Sequence, residues 1–84
     1  MTTREKLKKM LVDKGMFEDQ AEEVMEMAIP KIEELTPGYR ITWDRPADEY
    51  PAPLYSIFWL TLKEVAIKWI DANVPKAWYR PMFA

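Results

Sequence analysis

Apolar side chains recur at helical spacing along residues 54–73, and no other feature constrains the fold of this chain as strongly. At 3.6 residues per turn they fall on one face without a gap, whereas a two-residue period breaks the series. The proline- and acid-rich stretch 48–53 supplies a helix start just before it. The apolar face consists of Ile57, Phe58, Thr61, Leu62, Val65, Ala66, Trp69 and Ile70. We predict one long helix here, with Phe58 and Trp69 in the core.

The first part of the chain predicts two further helices joined by a short turn. Thr2 and Glu5 have the spacing of a capping box, and Gly15 supplies a left-handed stop. A second helix then begins with an acidic first turn, which the helix dipole favours. The apolar positions of the two helices are Leu7, Met10, Leu11, then Ala21, Val24, Met25, Ala28, Ile29, Ile32 and Leu35. Pro30 lies inside the second stripe, so we expect a kink there or a restart of the helix with Pro30 in its first turn.

Residues 39–43 alternate apolar and polar side chains, which is typical of a short strand. Its best pairing partner would be 55–62, which is also rich in β-forming residues. Because 55–62 fits the helical period better, we predict a mainly α fold. This fold is a single domain, 1–84, of three to four helices with an extended or short β segment near 39–43. An α+β fold with a 39–43/55–62 hairpin is the alternative, and 45–53 is predicted to be an extended, ordered loop.

The residue types that are missing from the chain narrow its chemistry. It has no Cys and no His, which excludes disulfides, thiolate and imidazole chemistry, and the usual zinc sites. The net charge of −2 argues against a general nucleic-acid binder. The longest apolar run, 57–60, is far too short to cross a membrane, and the charged first residues do not resemble a signal peptide. We therefore expect a cytoplasmic protein with no membrane partner.

Acidic residues are the remaining candidates for chemistry, and they form two groups. The first lies in the second helix, and the second lies near the proline-rich loop with Lys63 within reach. These groups are Glu22, Glu23 and Glu26, and Asp44, Asp48 and Glu49. A solvated helix face explains the first group and helix capping explains the second. We predict no catalytic, cofactor-binding or metal site, and no enzyme activity.

Aromatic residues supply a candidate interaction surface instead. Tyr55 and Trp59 fall outside the main stripe of the long helix, which is therefore apolar nearly all round and needs cover on more than one side. The terminal segment adds a basic and aromatic cluster. The predicted surface consists of Tyr55, Trp59, Lys76, Trp78, Tyr79 and Arg80. We also expect 77–83 to be ordered and to fold back on the helices, with Trp78 and Phe83 buried and Arg80 exposed.

Both ends of the chain resemble small uncharacterised proteins of tailed bacteriophages and prophages. The resemblance covers about half of the chain and consists of T-R-E-K-L-K-K-M-L-V-D-K-G-M-F-E-D-Q-A-E-E-V-M and K-W-I-D-A-N-V-P-K-A-W-Y-R-P-M-F. It implies an accessory role in a bacterial cytoplasm and provides no catalytic residue. We therefore expect a non-enzymatic protein that acts through protein–protein interaction and self-associates. The alternative is a binder of nucleotides or single-stranded nucleic acid, which would use Lys76, Trp78, Tyr79 and Arg80.

Overall fold

A computed structural model describes residues 1–46 and 50–73 of the chain. These residues form three helices: α1 (Thr3–Asp13), α2 (Glu18–Leu35) and α3 (Ala52–Asn73). α2 and α3 share the most extensive contact, while α1 packs mainly on α2 and more sparsely on α3. No helix in these two ranges is both long enough and apolar enough to span a membrane. The prediction of a mainly α fold is confirmed.

The alternative hairpin between 39–43 and 55–62 is wrong. Residues 55–62 belong to α3, which removes the only strand partner that the sequence offered. Over the described ranges no strand is formed, and the one β-type contact is an isolated bridge between Thr2 and Pro46. Ile41 and Trp43 are half-buried because they pack against the helices, and this packing explains the alternating pattern without a sheet. Residues 47–49 of the predicted loop and the predicted tail lie outside the described residues.

The core is built from one face of each helix. Phe58, Leu11, Val24 and Ile32 have no measurable exposure, so the predicted stripes are confirmed for most positions. The buried apolar side chains are Leu7, Leu11, Met16, Ala21, Val24, Met25, Ala28, Ile32, Leu54, Phe58, Leu62, Val65, Ala66 and Ile70. Full burial of each large side chain in this set stabilises the folded state by roughly 1.5–3 kcal/mol relative to leaving it exposed.

Five apolar side chains are less buried than the stripes predict: Met10, Ile29, Leu35, Ile57 and Trp69. Leu35 is 61% exposed because it stands in the last turn of α2, and the other four are half-buried. Trp69 was predicted to lie in the core. Its indole Nε1–H donates to Glu23 Oε2 over 2.9 Å, so one edge of the ring faces the polar surface of α2.

α2 runs without interruption through Pro30. Of the two predicted outcomes, a restart of the helix at Pro30 is therefore wrong, while a kink there stays a prediction. Proline has no N–H group, so the carbonyl of Glu26 lacks its usual intrahelical donor. Pro30 is exposed, and its neighbours at 28 and 32 are fully buried. The burial of these neighbours holds the segment helical in spite of the proline.

The N-terminus of α1 is capped from two directions. The Thr2 hydroxyl accepts from the Glu5 N–H at 3.1 Å, and the Thr2 N–H donates to Glu5 Oε1 at 3.2 Å, which confirms the capping box. The amides of Thr3 and Arg4 donate to the carbonyls of Arg45 and Trp43, at 3.3 and 3.1 Å. The unpaired amides that begin a helix are thus satisfied by its own cap and by a distant loop.

The capping box also perturbs the Glu5 carboxyl. The Thr2 backbone N–H, and after it the Thr2 side chain, lowers the pKa of Glu5 below its usual value. Because the pKa of Glu5 is lower in the folded state, this carboxylate stabilises the fold at pH values above its ordinary pKa. The contribution is lost as the pH falls through the lowered pKa.

At the other end of α1, Gly15 adopts a φ of 108°, which confirms the predicted left-handed stop.

Candidate interaction surface

Tyr55 and Trp59 lie one turn apart on the side of α3 that faces α1. Both are half-buried and pack against the core, as their position beside the main stripe predicts. The Tyr55 ring meets Phe58 edge-on, with 5.8 Å between the ring centroids. The structure therefore brings together the two described members of the predicted interaction surface on one face of one helix.

Lys6 of α1 and Lys14, the residue that caps the end of α1, lie over these two rings. Lys6 Nζ is 4.8 Å from the centroid of the Tyr55 ring and 3.4 Å from the Tyr55 hydroxyl oxygen. Lys14 Nζ lies 5.8 Å from the centroid of the Trp59 ring. A cation over an aromatic face contributes roughly 0.5–1 kcal/mol at an exposed site. These contacts link α1 to α3 and place positive charge beside both aromatic side chains.

An open cavity of about 340 Å³ lies between the two helices, lined by Met10, Asp13, Lys14 and Trp59. Met10 and Trp59 give it an apolar floor, since both pack on the core, whereas Asp13 and Lys14 are exposed at its rim. We call this surface the α1/α3 groove and define it by Lys6, Met10, Asp13, Lys14, Tyr55 and Trp59. An apolar centre with a charged rim is the usual anatomy of a protein–protein interface.

Two other cavities differ from the groove in the side chains that line them. One of about 500 Å³ lies beside the end of α2 and is lined by Glu33, Pro37, Gly38, Tyr39, Arg40 and Ile41. The Glu33 carboxylate is already engaged, because Trp43 Nε1–H donates to its Oε1 over 2.9 Å. The other, of about 280 Å³, is lined by Met1, Glu5, Lys8, Lys9, Val12 and Glu18. Neither combines a tryptophan with a lysine placed over its ring.

Two of the three acidic residues predicted as a group in α2, Glu22 and Glu23, have structural partners. Glu22 accepts a hydrogen bond from Arg4 through Oε1, and Lys8 lies 3.2 Å from Glu22 Oε2. Glu23 accepts from the indole of Trp69. Over residues 1–46 and 50–73, no group of three or more acidic side chains is arranged to hold a metal ion. In the second acidic group Asp44 is exposed, while 48 and 49 lie outside the described residues.

Four members of the predicted surface lie outside the described residues: Lys76, Trp78, Tyr79 and Arg80. The predictions that Trp78 and Phe83 are buried and that Arg80 is exposed fall there as well. What the sequence reasoning missed is the contribution of α1, since it assigned Met10 to the core alone. The four-residue spacing of Lys6, Met10 and Lys14 was the available signal, because it places all three on one side of a helix.

Comparison with protein-family models, with curated proteins and with solved structures gave no significant match. The resemblance of the two ends to phage proteins therefore stays a prediction.

Proposed function

We propose that this chain is a non-enzymatic interaction domain of phage type that binds another protein chain, a second copy of itself included, through the α1/α3 groove. One observation carries the proposal: Trp59 and Met10 form the floor of an open cavity whose rim holds Lys14 and Asp13. The phage-type accessory role is proposed on the resemblance of the two chain ends alone.

The groove has the composition of a binding surface. Aromatic residues and methionine are enriched at the centres of protein interfaces, and tryptophan is prominent among the residues that dominate binding energy. Trp59 offers a partly exposed ring that is already fixed by its packing on the core, so little conformational entropy remains to be lost on binding. A partner that inserts an apolar side chain between Met10 and Trp59 would complete the cover of α3.

The polar groups of the described residues favour binding over catalysis. Two of the three carboxylates that the sequence groups in α2, Glu22 and Glu23, are held by Arg4, Lys8 and Trp69. The pKa of Glu5 is lowered, and the helix cap accounts for the shift. The sequence has no histidine, the side chain that most often serves as a general base, and no cysteine.

Trp59→Ala is expected to weaken partner binding by about 30-fold or more, since interface hot spots are worth about 2 kcal/mol or above. We would immobilise the full chain, pass a bacterial lysate over it, and compare the proteins retained by the wild type and the variant. Leu60→Ala is the matched control, because Leu60 is 64% exposed on the same helix and does not line the groove cavity. Equal retention by all three chains, with unchanged far-UV circular dichroism, would contradict the proposal.

A second candidate function is the binding of nucleotides or single-stranded nucleic acid. It is favoured by the pairing of Lys6 with Tyr55 and of Lys14 with Trp59, because bases stack on aromatic rings while lysines meet phosphates. If the groove binds protein instead, titration with oligothymidylate at low salt is expected to leave tryptophan emission unchanged. Quenching that disappears at high salt and in Trp59→Ala would favour the second function.

A further inference from the structure

We infer that copies of this chain associate head to tail, with the outer face of α2 of one copy seated in the α1/α3 groove of the next. The inference rests on the proposed function and deepens it by naming the partner. We define the α2 outer face by Glu26, Met27 and Glu34, all of which are exposed.

Charge is segregated between the two faces. The groove holds Lys6 and Lys14 beside one acidic residue, Asp13, whereas the α2 outer face holds two acidic residues and no basic one. Arg4 and Lys8 of α1 are paired with Glu22 of α2 within the same copy. The net charge of the whole chain is only −2, so this separation is hidden in the total. Opposite potentials on two faces of one small molecule favour contact between unlike faces of neighbouring copies.

The α2 outer face also carries an apolar anchor of suitable chemistry. Met27 is 50% exposed, and Glu26 and Glu34 on the same helix are exposed as well. A methionine thioether makes favourable contacts with aromatic rings and adapts to irregular cavities. Met27 of one copy would enter the cavity beside Trp59 of the next, and its flanking carboxylates would approach Lys6 and Lys14.

The position of the two surfaces determines the kind of assembly. α1 and α3 both pack on α2, and no residue of the α2 outer face lines the groove cavity. A contact between two different patches is heterologous and does not close into a two-fold dimer. We therefore expect open chains that lengthen with protein concentration.

The first measurement is the mass of the full chain by light scattering as a function of concentration and salt. The average mass is expected to rise above the 10.0 kDa of the monomer at low salt. It should fall back as salt rises from about 0.01 M to about 1 M, because the Debye length shortens from about 30 Å to about 3 Å. A mass that stays at 10.0 kDa at millimolar concentration and low salt overturns the inference.

The second measurement mixes two variants that each lack one face. Lys6→Glu/Lys14→Glu disables the groove and Glu26→Lys/Glu34→Lys disables the α2 outer face, so each alone is expected to be monomeric. Mixed, the intact groove of one variant meets the intact outer face of the other, and the two reversed faces are also opposite in charge, so we expect co-assembly that neither variant shows alone. Lys9→Glu is the charge control, since Lys9 is exposed on α1 and lines a different cavity.

The remaining outcomes also decide the question. If the wild type oligomerises but the two variants form no complex, copies associate through another surface and the inference fails. If the wild type is monomeric while capture from the lysate depends on Trp59, the inference fails and the proposed function stands. Should either double variant lose its circular dichroism signal, the neutral pairs Lys6→Gln/Lys14→Gln and Glu26→Gln/Glu34→Gln replace them. These pairs are expected to weaken association and to reduce its salt dependence.

Discussion

Replacing Phe58 with alanine is expected to remove about 3–5 kcal/mol from the free energy of unfolding, the usual cost of emptying a buried phenylalanine site. Phe58 has no exposed surface, and its ring lies 6.0 Å from Trp43, 5.7 Å from Tyr50 and 5.8 Å from Tyr55 between centroids. Small domains have roughly 0.05–0.15 kcal/mol of stability per residue, so the loss is a large part of the total. Urea unfolding followed by circular dichroism measures it.

The control for this substitution is Leu60→Ala, two residues farther along α3. Leu60 is 64% exposed, so we expect its replacement to change the free energy of unfolding by no more than about 0.5 kcal/mol. A cost below about 1.5 kcal/mol for Phe58→Ala would show that the surrounding rings close the cavity, and that Phe58 does not hold Trp43 and Tyr50 on α3.

Pro30→Ala is expected to act in the opposite direction and stabilise the fold by about 1–3 kcal/mol. Proline is about 3 kcal/mol less favourable than alanine inside a helix, and the alanine amide would restore a donor for the Glu26 carbonyl. The more flexible unfolded chain of the variant offsets about 0.4–1 kcal/mol of that gain. The shift of the urea midpoint and of Tm measures the net effect.

Lys31→Ala serves as the neighbouring control, because Lys31 is exposed and alanine is only slightly better in a helix. A Pro30→Ala variant that is less stable than the wild type would contradict the argument. That result would mean that the proline ring sets a backbone shape on which the packing of Ala28 and Ile32 depends.

The helices could be predicted because apolar residues recur at helical spacing in the sequence of each one. The period in 54–73 favoured a helix over a strand, and Thr2, Glu5 and Gly15 marked the two ends of α1 through their capping chemistry. Segment 39–43 suggested the alternative hairpin because Ile41 and Trp43 are half-buried in a loop, and such half-burial gives the same alternation of apolar and polar residues as a strand. The alternation shows which side chains are buried, but it does not show whether the backbone is hydrogen-bonded to a neighbouring strand.

The interaction surface could be predicted only in part. Tyr55 and Trp59 could be identified because they are aromatic residues that lie outside the apolar stripe of α3, and this can be seen within one stretch of sequence. The lysines above their rings come from α1, some 45 residues or more away along the chain, and only the packing of α1 on α3 brings them there. Trp69 was assigned to the core for a related reason, since its polar partner Glu23 lies on another helix.

The bonds from the Thr3 and Arg4 amides to the loop carbonyls tie the beginning of the chain to its middle. If the loop separates from α1, the Thr3 and Arg4 amides at the start of the helix lose their acceptors and become exposed to solvent together with the loop carbonyls. Amide hydrogen exchange at Thr3 and Arg4 should then match the exchange of loop amides such as Thr42, whose N–H donates to the Tyr50 hydroxyl oxygen at 3.2 Å. We therefore expect the first turn of α1 and the Trp43–Arg45 loop to open together, as one cooperative unit.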